Sequence, residues 1–257
     1  MPLLAIKGLN KHFGGLHALV DIDLELVEGQ IMGIIGPNGA GKTTIFNLIS
    51  GNLPVSGGKV YFQDQDITGL KPYRIAQLGI FRTFQTIRLC SHMSVIENVM
   101  LGRHVKTKAG FFASIARLPW TWREESAIAK RSEEILRILA IGDLAAEEAT
   151  NLPFGKQRAV EFARALAAEP KLLLLDEPAS GLNIHETEEL ADLIKRIRDM
   201  GITILLVEHD MSLVMDTSDE VIVLNFGEKI AEGSPAEVQR NAEVINVYLG
   251  VDYAPNS

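Results

Sequence analysis

Eight consecutive residues, Gly36-Pro37-Asn38-Gly39-Ala40-Gly41-Lys42-Thr43, follow the spacing G-x-x-x-x-G-K-[ST]. The glycines let the backbone curl until successive N–H groups point at one anion. Lys42 adds a positive charge where β- and γ-phosphates would lie, and the Thr43 hydroxyl is a ligand for Mg²⁺. From Thr44 the pattern becomes helical, so the positive end of a helix faces the same anion. The chemistry implied is the binding of a magnesium nucleoside triphosphate.

A second segment supplies what hydrolysis needs. Leu172-Leu173-Leu174-Leu175-Asp176-Glu177 is an apolar run ending in two carboxylates. A buried strand that ends in Asp176 can deliver a carboxylate to the Mg²⁺ shell. Glu177, the next residue, can polarise the attacking water. Phosphoryl transfer depends mainly on positioning and charge neutralisation, so a metal carboxylate and a water-orienting base are a sufficient set. His209 follows another apolar run, Ile202 to Val207, by two residues. Ligands of open α/β sheets bind past the carboxyl ends of the strands, so His209 is placed to reach a γ-phosphate.

These residues must be positioned by a particular set of elements. Leu3 to Ile6 reads as a short strand. In Ala18 to Val27 the residues Leu19, Ile22, Leu24 and Leu26 are interrupted by Asp21, Asp23 and Glu25, the mark of a half-buried antiparallel strand. Gln30 to Ile35 is a strand running into the glycine-rich loop, and Thr44 to Ser50 is the helix after it. Leu172 to Leu175 and Ile202 to Val207 are apolar throughout, as parallel strands covered on both faces are. Glu186 to Met200 is the crossover helix between them. Val221 to Leu224 and Lys229 to Ala231 flank Gly227 as a hairpin. Ser234-Pro235-Ala236-Glu237 is a capping box that starts a last helix. Strands alternating with helices predict an α/β fold with a parallel sheet. Ser94 to about Leu166 has no good strand and reads as a helical subdomain inserted into that core. Within it, 103–123 holds Phe111, Phe112, Trp120 and Trp122. This stretch packs on its own subdomain or presents a docking surface.

Bulk properties narrow the setting. The chain has 257 residues, 47% hydrophobic and 23% charged, an ordinary globular composition. Its net charge of -8 argues against nucleic acid as the main partner. The single cysteine, Cys90, cannot form an internal disulfide, which fits a reducing compartment. No apolar run reaches the ~18 residues of a membrane span, and Met1 to Lys7 lacks a signal-peptide layout. The expected location is the cytoplasm, with docking onto another subunit if the process served is a membrane one.

The order of these motifs resembles that of an ABC-transporter ATPase subunit across nearly the whole chain. The matching residues are the loop at 36–44, Gln85 within Arg82-Thr83-Phe84-Gln85, Asp176-Glu177, Ser180-Gly181-Leu182-Asn183 and Glu208-His209-Asp210. Phe81 to Gln85, the stretch 103–123 and the ending Val244 to Gly250 are most similar to the ATPases of bacterial branched-chain amino acid importers. The resemblance implies a phosphate-loop NTPase (RecA-like) core with a parallel sheet, an antiparallel β subdomain and an inserted helical subdomain. The nucleotide-binding core would comprise 1–93 and 167–257, and the helical subdomain 94–166. ATP with Mg²⁺ would be bound by Gly36, Pro37, Asn38, Gly39, Ala40, Gly41, Lys42, Thr43 and Thr44, with Phe13 stacked on adenine. Thr43, Gln85 and Asp176 would hold the metal. Glu177 would be the catalytic base, His209 the switch histidine, and Gln85 the link to the helical subdomain.

In such subunits the signature Leu-Ser-Gly-Gly-Gln caps the ATP held by an opposing ATPase. Here it reads Leu152-Pro153-Phe154-Gly155-Lys156. Pro153 has neither hydroxyl nor N–H, so a weakened contact to the partner-bound ATP is expected, carried by Gly155. The loop Ser180 to Asn183 would touch the opposing subunit, with Asn183 where the family usually has Asp. The implied partners are a second ATPase subunit, two transmembrane permease subunits and, indirectly, a solute-binding protein. The implied place is the cytoplasmic face of the inner membrane. A non-transport ABC ATPase of DNA repair or the ribosome is the alternative; it usually carries two cassettes or a coiled-coil insert, and this chain has a single phosphate loop. No Asn-Lys-x-Asp specifies guanine, which argues against a GTPase.

Overall fold

The computed structural model of the protein describes residues 1–83, 86–103 and 119–249. Two sheets carry the fold. The first is antiparallel and contains β1 (Pro2–Phe13), β2 (Leu16–Val27), β4 (Gly57–Phe62) and β5 (Gln65–Asp66), in the order β2-β1-β4-β5. The second contains β3 (Ile31–Ile35), β6 (Ile80–Arg82), β7 (Leu172–Asp176), β8 (Thr203–Val207), β9 (Glu220–Asn225) and β10 (Glu228–Gly233). Its order is β10-β9-β3-β8-β7-β6, and all pairs are parallel except β10 on β9.

Burial explains why the central strands are apolar without alternation. Ile31 and Ile35 of β3, Leu173 and Leu175 of β7, and Ile204 and Leu206 of β8 enter one core. Met32 and Ile34, Leu172 and Leu174, and Leu205 and Val207 enter another. Successive side chains point to opposite faces, so a sheet covered on both sides needs apolar residues at every position. The first core lies against helices α5 (Phe154–Ala167), α6 (Ile184–Asp199) and α7 (Met211–Thr217), and it also takes in α3 (Val95–Arg103) and α4 (Pro119–Ile138). The second lies between the two sheets and encloses Ile45, Phe46, Leu48 and Ile49 of α1 (Lys42–Ile49). Burying each such side chain contributes roughly 1.5–3 kcal/mol.

β2 shows the expected alternation with one correction. Leu19 and Ile22 are both buried although three positions apart, and Asp21 between them has a positive φ of 47° that restores the register. β1 extends well beyond Leu3 to Ile6, because it pairs with β2 from Pro2 to Phe13 and with β4 from Leu4 to Asn10. Helix α2 (Pro72–Leu78) and strands β4, β5 and β6 carry no strong sequence signal and appear only in the structure. The predicted capping box starts α8 (Pro235–Arg240), followed by α9 (Ala242–Leu249). Most of 103–123, including Phe111 and Phe112, lies outside the described residues; Trp120 and Trp122 fall on the first turn of α4. No described helix is long and apolar enough to cross a membrane.

Candidate active site

The site collects at the carboxyl ends of β3, β7 and β8, which are neighbours in the sheet. The register pairs Asp176 with Val207 and Val207 with Ile34, so the three strands end at one level. The loop after β3 is held by contacts only glycine allows. Gly36 has φ 152°, and a Cβ there would lie 2.2 Å from the Leu224 carbonyl. Gly41 caps α1 at φ 107°, and a Cβ would lie 2.6 Å from Leu19 Cδ2. The first-turn N–H groups of Lys42, Thr43 and Thr44 have no carbonyl partner within their own helix.

Lys42 is only 6% exposed. Its ammonium donates to the carbonyls of Gly36 at 2.6 Å and Pro37 at 3.0 Å. Burial lowers its pKa from the ordinary lysine value, opposed by the charges of Glu177 and Glu208. The lysine is therefore already folded into the curl of the loop, close to where the amides converge.

A cleft of about 490 Å³ opens over this loop. Asn38 to Thr44 line one end, Phe13, Leu16 and Phe226 form an apolar portion, and Glu177 also faces it. Phe13 is half-exposed at the end of β1, and the Lys11 ammonium lies 4.8 Å from its ring centroid. The sequence-predicted base contact, phosphate cradle and hydrolytic carboxylate thus share one cavity.

Glu177 has a positive φ of 46°, and its N–H donates to the Val207 carbonyl at 2.8 Å. Such a conformation costs a non-glycine residue on the order of 1–3 kcal/mol and is common at functional sites. Nδ1 of His209 lies 4.0 Å from Glu177 Oε2, so the predicted base and switch residue are adjacent. His209 itself is 60% exposed in its side chain, open to a ligand.

Three residues to which the sequence alone assigns no role hold this arrangement. Arg82, on β6, donates to Asp176 Oδ2 at 2.6 Å and to Asn47 Oδ1 of α1 at 2.7 Å. Arg82 and Asp176 lie 94 positions apart, and only the β6–β7 pairing brings them together. Glu208 is fully buried and accepts from the N–H groups of Ala179 at 2.7 Å, His209 at 3.0 Å and Asp210 at 3.3 Å. It ties the segment after Glu177 to the segment carrying His209. Burial raises its pKa above the usual carboxylate value, against those hydrogen bonds. Tyr248 of α9 meets the Gly36 backbone; burial pushes its phenol up and the Gly36 hydrogen bond pulls it down.

Mg²⁺ requires oxygen donors, usually one or two from protein and the rest from phosphates and water. The Thr43 hydroxyl and the second carboxylate oxygen of Asp176 have this chemistry. Among the described residues no group of three or more His, Cys, Asp or Glu could hold a metal unaided. Two such oxygens suit a cation whose remaining ligands come from phosphates and water. Gln85 lies outside the described residues.

The remaining predicted residues lie apart from the cleft. Gly155 is in the first turn of α5, whose N-cap is Pro153, without a side-chain cap. Asn183 caps α6: its side chain accepts from Glu186 N–H and Glu186 accepts from Asn183 N–H, both at 3.0 Å. Asparagine performs this capping as well as aspartate does, which explains its tolerance here. Cys90 is exposed and free.

The sequence matches the family described as ABC transporter over residues 19–180. The chain belongs to the ABC transporter ATP-binding family. It is an ABC ATPase, the subunit that hydrolyses ATP to power transport. Residues 228–254 of this cassette match the family described as branched-chain amino acid ATP-binding cassette transporter. The cassette is 44% identical to the high-affinity branched-chain amino acid transport ATP-binding protein LivG of Salmonella typhimurium, over 97% of this chain and 98% of that one. It superposes on the ADP conformation of MJ1267, an ATP-binding cassette of an ABC transporter, with TM-score 0.85 and 31% identity over 97% of this chain and 99% of that one. It also matches the dimeric post-hydrolysis state of the ATP-binding cassette MJ0796 bound to ADP and Pi, with TM-score 0.74 and 26% identity over 90% and 98% of the two chains.

Proposed function

We propose that this cassette powers an importer of branched-chain amino acids. It would work in a pair of ATPase subunits beneath two membrane-spanning permeases, at the cytoplasmic face of the inner membrane. A separate solute-binding protein would supply the amino acid. The reading is carried by one observation: phosphate loop, Phe13 and Glu177 open into a single cleft. The solute class rests on the likeness to LivG and on the match over 228–254.

Within this reading, Phe13 stacks on adenine, and the amides of 39–44 with Lys42 hold the phosphates. Thr43, Asp176 and Gln85 would hold Mg²⁺, which when bound would neutralise charge on the β- and γ-phosphates. Glu177 orients the attacking water and accepts its proton, and His209 contacts the γ-phosphate. Arg82 holds Asp176 in place. Each γ-phosphate bridges the loop of one subunit and the Gly155 segment of the other. ATP therefore favours the closed pair more than ADP does, and this difference drives the cycle. The core at 1–93 and 167–257 binds nucleotide, and the helical subdomain at 94–166 transmits closure. A groove lined by Phe81, Thr83, Leu101 and Arg164 lies between β6 and helices α3 and α5. This groove is the proposed permease dock.

The test is Glu177→Gln in the assembled complex. The variant should bind Mg-ATP as the parent does, lose hydrolysis by about a hundredfold or more, and accumulate the closed dimer. Turnover at the parental rate would sink the role given to Glu177. Recovery of the cassette in membranes should require both permeases, and recovery without them would remove the transport reading.

A further inference from the structure

The turn joining β9 to β10 contains a residue that its backbone disfavours. Phe226 has φ 46° and Gly227 has φ 84°, so both central residues of the hairpin turn are left-handed. Such turns select Asn, Asp or Gly at both places. A bulky aromatic there is a conformational outlier. It gains no compensation from burial, because Phe226 is 87% exposed.

The turn is also held firmly. Gly227 N–H donates to the Ala40 carbonyl of the phosphate loop at 3.1 Å, and the Gly227 carbonyl accepts from Val20 N–H at 2.9 Å. A Cβ at Gly227 would lie 2.7 Å from the Ala18 carbonyl. Phe226 is thus an exposed ring on a rigid mount, fixed to the loop that cradles phosphate. It lines the same cleft as Phe13, Leu16 and His17.

We propose that Phe226 is a second nucleobase-binding residue, packing against the base in addition to Phe13. This rests on the nucleotide reading of the cleft. An aromatic face binds any base edge or face without hydrogen-bond readout, so the contact adds affinity but little base selectivity. The strain at the turn is then retained for a ligand contact that Asn or Gly could not make.

The test compares the parent with Phe226→Asn and Phe226→Gly, both suited to the turn. Mg-ATP and inorganic tripolyphosphate are titrated onto the isolated, full-length chain by calorimetry, with a thermal melt of each variant. We expect both variants to bind Mg-ATP about five- to tenfold more weakly. Their affinity for tripolyphosphate should match the parent, and their melting temperature should be equal or higher. Unchanged Mg-ATP affinity would overturn the proposal and assign the ring to a protein contact. Equal weakening of both ligands would overturn it too, because the turn would then act only by propping Ala40. If the parent itself bound neither ligand, the nucleotide reading would fall first and this inference with it.

Discussion

The phosphate loop ahead of α1 and the signature turn ahead of α5 both feed a helix N-terminus, and they are built differently. The first is capped by Gly41 at φ 107° and pinned by contacts to Leu224, Ala18 and Leu19. It holds its own cation, Lys42, against its own carbonyls. The second is capped by Pro153, whose carbonyl accepts from the N–H groups of Lys156 and Gln157. The Gln157 side chain donates back to the carbonyls of Thr150 and Leu152. A Cβ on Gly155 would meet only the Glu186 side chain at 3.2 Å. The loop read as the anion site admits no Cβ at Gly36 or Gly41 without displacing its neighbours. The turn that would cover a ligand held by another subunit has been allowed to lose a hydroxyl and an N–H. This difference is expected if one site supplies most of the binding energy and the other only completes it.

The sharpest way to break the comparison is at its charge. Lys42→Ala should lower ATP turnover by about 10²–10³, as removal of a preorganised donor does, while the same change at Lys156 should leave most activity. Equal losses in a steady-state assay would show that both turns bear equal electrostatic weight. Shape comes next. Gly36→Ala should destabilise the fold by roughly 2–3 kcal/mol or prevent folding, and Gly155→Ala by about 0.5 kcal/mol or less, read by urea denaturation. A smaller effect follows from the carboxylate behind the phosphate loop. Glu208 has a folded pKa raised by burial, so its ionisation penalises the native state. That penalty is absent below the ordinary glutamate range and grows as pH rises from there through the raised value. Stability of the parent relative to Glu208→Gln should therefore decline with rising pH across this window, and a flat difference would contradict it. The smallest effect is expected at Pro153→Ser, about a two- to threefold gain in turnover of the assembled complex. No gain would mean that Gly155 and the helix N-terminus already suffice.

Legibility followed contiguity. The loop 36–44, the pair Asp176-Glu177 and His209 were readable because each lies on a continuous strand–turn pattern. The core strands were readable because burial on both faces demands unbroken apolar runs. Arg82 was not, because its contact with Asp176 depends on β6, a three-residue strand with no periodicity of its own. Glu208 is legible only as a member of the motif Glu208-His209-Asp210, and nothing local announces that it is buried and bound to three N–H groups. Phe226 was hidden for the opposite reason. Gly227 marks the hairpin, and the turn's preference for small residues gives no warning of an exposed aromatic beside it. Gly155 and Asn183 are readable as motif positions, but the contact proposed for them would form only in an assembly, which a single chain does not display.

Helix α1 is enclosed by both sheets, and the loop before it touches β2 on one side and β9 on the other. The cradle therefore has no existence independent of how those two layers meet. A slip of either layer by one residue would reshape the curl at Gly36 or Gly41, and any ligand held in the curl resists such a slip. If a nucleotide occupies the curl, its retention is coupled to the alignment of the two layers, because both depend on the close approaches at Gly36 and Gly41.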